Sequence, residues 1–130
     1  MREIIAGTSH TASLTVAEAH TAVALGSGDL PVLGTPALAA LMENAAMKAI
    51  APFLDRTPEA MSSVGIALNI SHERASSIGE QIRATATVTA VDGRRVDFDI
   101  QASDSSGRII GRGTHTRFIV NTEKFMAKIR

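Results

Sequence analysis

The sequence predicts an α+β domain in which a curved antiparallel sheet wraps one long central helix. Two patterns carry this prediction. Residues 82–120 read as three strands of alternating apolar and polar positions joined by tight turns, and residues 36–54 form an apolar, alanine-rich helix ahead of them. That helix has a single narrow polar sector, so it has to be enclosed on most sides. A sheet that curls around it does so. The 130 residues suffice for one domain, 1–130, and are too few for two ordinary ones.

Taken in order, residues 13–16 (SLTV) are a weak strand candidate. The helix follows in PALAALMENAAMKAIAPFL. Thr35 reads as its N-cap ahead of Pro36 at the first helical position, and Pro52 ends or bends the last turn. Asn44, Lys48 and Asp55 make up the polar sector, while the many alanines allow a sheet to approach closely. In VGIALNISH, period-2 spacing places Val64, Ile66, Leu68, Ile70 and His72 on one strand face. IRATATVTAV alternates Ile82, Ala84, Ala86, Val88 and Ala90 with Arg83 and three threonines. Asp92-Gly93 is a hairpin signal, and Val96, Phe98, Ile100 and Ala102 mark the next strand. A turn at Asp104-Ser105-Ser106-Gly107 leads into RIIGRGTHTRFIV, a strand loosened by Gly111 and Gly113. TEKFMAKIR reads as a short terminal helix. Strand, helix and four antiparallel strands in this order describe a hotdog fold. Its open strand edges and half-covered helix call for a second copy, so a homodimer at least is expected.

Composition narrows the function. Thirteen basic residues balance thirteen acidic ones, which favours neither nucleic acid nor an anionic membrane. The absence of cysteine removes thiol nucleophiles, Cys-ligated zinc and disulfides. Four phenylalanines are the only aromatic residues, so stacking platforms for single strands cannot be built. MREIIAGTSH lacks the apolar core of a signal peptide, and no apolar run reaches a membrane span. The expectation is a soluble cytoplasmic protein. No His-x-x-x-His or Glu-x-x-His pair supports a metal, and no GxGxxG, P-loop or GxSxG points to a cofactor or an α/β-hydrolase.

Six positions stand out. Glu43 shares a helix face with Pro36, Ala39, Ala40, Met47, Ile50 and Leu54, well away from the polar sector. A lone carboxylate there is costly unless paired, protonated or lining a pocket, so it is either a satisfied structural residue or part of a site. His72 ends the apolar face of its strand, and is either a half-exposed surface residue or a proton carrier; His115 is a weaker candidate of the same kind. Thr35 is explained by capping, yet a helix start also supplies amide donors for an anion, and Gly34 leaves the backbone there open. Gly65, early in a strand, marks either a bulge or the approach of a ligand.

Several collinear blocks then share a likeness. Residues 32–54, VLGTPALAALMENAAMKAIAPFL, resemble the central-helix segment of the fluoroacetyl-CoA thioesterase-like hotdog family. So do VGIALNISH, GRR at 93–95, GRGTHTRF at 111–118 and EKFMAK at 123–128. The resemblance implies a catalytic group of Thr35, Glu43 and His72, a substrate-contacting Gly65, and hydrolysis of a short or medium acyl-CoA at a dimer interface without a cofactor. It leaves open whether Thr35, Glu43 or water attacks. Eight residues of straight helix would separate Thr35 from Glu43 by ~12 Å, so they meet within one chain only if the helix starts late. Otherwise the site is shared between chains. A non-catalytic acyl-CoA or small-ligand binding protein is the alternative; retention of all three residues favours catalysis. In the fluoroacetate-specific enzyme, aromatic residues ahead of the central helix close over the acyl group. Residues 21–34 here, TAVALGSGDLPVLG, contain none, which implies little selectivity for fluorine.

Overall fold

A computed structural model describes residues 2–55 and 59–130. Five strands run Ser9–Thr15 (β1), Met61–His72 (β2), Gln81–Asp92 (β3), Arg95–Ser103 (β4) and Ile109–Asn121 (β5). They form one antiparallel sheet in the order β1-β3-β4-β5-β2. The described residues also form three α-helices, Ala22–Leu25 (α1), Thr35–Ile50 (α2) and Thr122–Ile129 (α3). The sheet curls around α2, so the expected hotdog arrangement is what the chain adopts.

The core follows from the two periodicities. Helix α2 buries Leu38, Leu41, Met42, Ala45, Ala46, Ala49 and Ile50. Against them the sheet places every second residue of its central strands: Ile82, Ala84, Ala86 and Val88, then Val96, Phe98, Ile100 and Ala102. Small residues on both surfaces let helix and sheet close up with a single buried phenylalanine, Phe98. The two turns form where they were expected. Gly93 takes φ 62° between β3 and β4, and Asp104 accepts hydrogen bonds from the amides of Ser106 and Arg108, both at 3.0 Å.

Three expectations need correction. The α-helix ends at Ile50 and continues as a 3-10 turn over Ala51–Phe53, because Pro52 has no amide to extend the α ladder. Strand β1 starts earlier, at Ser9, since its inward residues Ala12 and Leu14 alternate with polar ones too weakly to mark the start. Val64 and Ile66 do not share a face with Leu68, Ile70 and His72. A β-bulge between Gly65 and Ala67 shifts the register, so that Ser63 and Gly65 join that inner face and Ile66 is 57% exposed. Helix α2 is only half-covered within one chain, as expected: Pro36, Ala40 and Met47, neighbours of Glu43, are exposed. Helix α1 was not anticipated. It is capped by Thr21 and ends at Gly26, and the amides of Ala22 and Gly34 donate to the carbonyls of Val32 and His20, closing this segment on itself.

Candidate active site

The start of α2 and the end of β2 meet. Thr35 is the first helical residue and does not cap the helix; Gly34 holds the cap position with extended backbone and no side chain to contribute. The Thr35 hydroxyl is therefore free for another partner, and Oγ1 shares a 2.8 Å hydrogen bond with His72 Nδ1. Strand pairing of His72 with Gly111 brings the imidazole there. A β-carbon at residue 111 would lie 2.8 Å from the Ser71 carbonyl and 3.0 Å from Leu38 Cδ2. Glycine at 111 thus lets strand and helix approach, rather than merely loosening the strand. His72 Nε2 is buried without a hydrogen-bond partner among the described residues. Burial also lowers the imidazole pKa from its ordinary 6.5, favouring the neutral form. Thr35 and His72 line a cavity of about 270 Å³ with Gly34, Leu33 and Arg74. Gly34 lends its backbone to that cavity, while its missing side chain makes room for the Ala22 backbone and Leu25, each 3.1 Å from where a β-carbon would be.

Glu43 lies elsewhere. Helix α2 is regular from Thr35, so the carboxylate sits two turns away, over the other end of β2. There Gly65 leaves a hollow into which three groups point. A β-carbon at 65 would lie 2.9 Å from Glu43 Oε2, 3.0 Å from His115 Cε1 and 3.4 Å from Arg117 Nη1. Arg117 was missed from the sequence and His115 was undervalued. Both lie on β5 where it pairs with the bulged part of β2, opposite Gly65 and Leu68. The only signal in the sequence was two polar residues, spaced i and i+2, in a strand whose inner face is otherwise apolar. Arg117 is buried, and its Nε and Nη2 donate to Ser63 Oγ and the Ser63 carbonyl at 2.8 and 2.9 Å. Desolvation lowers its pKa and the Glu43 charge opposes that. Within one chain the structure thus holds two half-sites, Thr35 with His72 and Glu43 with Arg117, about 20 Å apart along β2.

A larger hollow, about 640 Å³, is on the opposite face of the sheet, lined by Thr85, Asp99, Gln101, Arg112 and Thr114. It holds none of these groups. No cluster of His, Asp and Glu among the described residues is placed to hold a metal.

Comparison with known proteins places the chain in a family and a fold. The model of the fluoroacetyl-CoA-specific thioesterase family matches residues 16–123. The chain belongs to that family. It is 36% identical over 99 residues to the fluoroacetyl-CoA thioesterase of Streptantibioticus cattleyicolor, covering 76% of this chain and 68% of that one. A crystal structure of a point mutant of the fluoroacetyl-CoA-specific thioesterase superposes with a TM-score of 0.89 at 30% identity, covering 100% of this chain and 98% of that one. A thioesterase superfamily member from Thermus thermophilus gives 0.90 at 27% identity, with coverage of 100% and 93%. Family membership supports the hydrolysis of acyl-CoA thioesters expected from the sequence. No helix among the described residues is long and apolar enough to cross a membrane.

Proposed function

We propose that this chain hydrolyses the thioester of a short or medium acyl-CoA as a cytoplasmic homodimer, at a site made of Thr35 and His72 from one copy and Glu43 from the other. The observation that carries the reading is the Thr35–His72 hydrogen bond, with the opposite imidazole nitrogen buried and unpartnered. A hydroxyl within reach of a neutral imidazole is a nucleophile beside its base. Thr35 Oγ1 gives its proton to His72 Nδ1 and attacks the thioester carbonyl carbon. The carbon–sulfur bond then breaks and the proton passes to the CoA sulfur. Water repeats the sequence on the Thr35 ester and releases the acid. At the start of helix α2 Pro36 has no amide hydrogen and the amides of Ala37 and Leu38 donate to the Gly34 carbonyl, which leaves the Thr35 N–H as the donor for the oxyanion.

Glu43 completes the site from the partner. Strand β2 is an edge strand. If it pairs antiparallel with its own copy about a two-fold axis between Leu68 and Asn69, Gly65 comes opposite the partner's His72. Glu43, which lies over Gly65, then approaches the unpartnered Nε2 and orients the base. The same pairing covers the region of the exposed Ala40, Met47 and Ile66.

The test is activity of mixed dimers on a panel of acyl-CoAs, acetyl- and fluoroacetyl-CoA included, with free thiol as the readout. Glu43→Gln and His72→Ala are each expected to be inactive alone. Unfolded and refolded together, they should recover about a quarter of the wild-type rate, because half the dimers are mixed and each holds one intact site. A mixture that stays inactive while forming mixed dimers would overturn the shared site. Wild-type protein that binds acyl-CoA without releasing thiol would overturn the enzymatic reading.

A further inference from the structure

His115 lies inside the sheet without touching the Thr35–His72 pair, and its hydrogen bonds define what it does. Nδ1 donates to the carbonyl of Ala67 at 2.7 Å, since a carbonyl can only accept. In a neutral ring Nε2 then carries the lone pair. Arg117 Nη1, a donor and never an acceptor, sits 3.1 Å from that nitrogen. The ring is stacked on Phe98 with centroids 6.0 Å apart, which holds its plane. The remaining guanidinium nitrogens are taken up by Ser63.

We infer that His115 is a positioning residue: as a neutral imidazole protonated on Nδ1, it accepts a hydrogen bond from Arg117 and holds the guanidinium beside Glu43 above Gly65. This rests on the reading of Glu43 as part of the site. The bulge at 65–67 contributes directly, because it is what presents the Ala67 carbonyl to Nδ1 while leaving the hollow at Gly65. Protonating the ring would aim a second N–H at the Nη1–H of Arg117 and expel it. The charged groups facing the ring are Arg117 on its own strand and Glu43 from α2. Burial and the Arg117 charge both lower the His115 pKa and keep the acceptor available, although the Ala67 bond and Glu43 oppose them.

Four variants test this, with thermal melts confirming that each is folded. His115→Leu keeps bulk but removes the acceptor, and should lower kcat/KM at least ~10-fold. His115→Gln restores an acceptor that does not titrate and should return activity to within about threefold of wild type. Arg117→Met should lose activity to a similar degree, and His115→Leu added to Arg117→Met should cost nothing further, since coupled residues are non-additive. A folded His115→Leu with wild-type kinetics would overturn the inference. So would equal losses in the Leu and Gln variants, or losses that add in the double variant, because each would assign the ring to packing against Phe98. Glu43→Gln is the control that separates the two readings: if it retains wild-type activity, the site itself is misassigned.

Discussion

At the scale of single residues, Thr35 shows how a local explanation can hide a longer-range one. A threonine before proline at a helix start is well explained by capping. In the structure the cap position belongs to Gly34, and the Thr35 side chain bonds His72, 37 residues away. This changes what its removal should do. Thr35→Ala is expected to leave stability within about 0.5 kcal/mol of wild type, as for a surface substitution that breaks no cap. Its turnover of acyl-CoA should fall at least ~10²-fold. A loss near 1 kcal/mol in a denaturant titration with normal turnover would restore the capping role and remove the catalytic one. Glu43 was legible as a misplaced carboxylate because its helical neighbours are apolar. Arg117 was not, because a single arginine in an alternating strand ordinarily reads as an outward residue.

At the scale of elements, the bulge in β2 is the decisive feature. Period-2 counting from Val64 to His72 assumes an unbroken strand, and one extra residue reverses which side chains face inward. The bulge puts Gly65 under Glu43, and a glycine is needed there for space. An alanine β-carbon would sit 2.9 Å from Glu43 Oε2 and 3.0 Å from His115 Cε1. The carboxylate is the flexible end of a long side chain and can yield, so Gly65→Ala should fold and melt close to wild type. Displacing the carboxylate by about an ångström should nevertheless lower kcat/KM on the order of 10²-fold. A crystal structure of the variant with Glu43 unmoved and activity intact would show that the hollow is not functional. Helix α2 was the most legible element, and only its end was misplaced. Helix α1, at four residues, is too short for a hydrophobic period to announce it.

For the whole molecule, the two inward imidazoles make stability depend on pH. His72 and His115 both have pKa values below the ordinary 6.5, in each case mainly through burial. The unfolded chain therefore takes up protons first as the solution is acidified. Stability is complete above the unfolded value of 6.5 and declines as pH falls through it toward the folded values. Carboxylates act in a lower window: hydrogen bonds from Ser71 and Ser105 hold Glu73 and Glu80 below the ordinary 4.5, so their contribution is lost only as pH falls beneath that. The urea midpoint, at fixed protein concentration, should accordingly be lower at about pH 5.5 than at about pH 7.5. An unchanged or higher midpoint at the acid pH would show that the imidazoles are hydrated.

What the sequence determined by itself is what local periodicity and composition encode. Alternation over residues 82–120 and the alanine-rich helix specify a sheet curled on a helix, because apolar faces of period 2 and 3.6 can be buried together in few ways. The collinear blocks specify the family for the same reason: they are the segments that build this core and its edges. The tertiary structure decided what depends on residues distant in the chain. It paired Thr35 with His72, gathered Glu43, His115 and Arg117 over Gly65, and set these two groups at opposite ends of an edge strand. No local signal carries that information, because it arises from strand register, a one-residue bulge, and a regular helix whose rise keeps Thr35 and Glu43 apart.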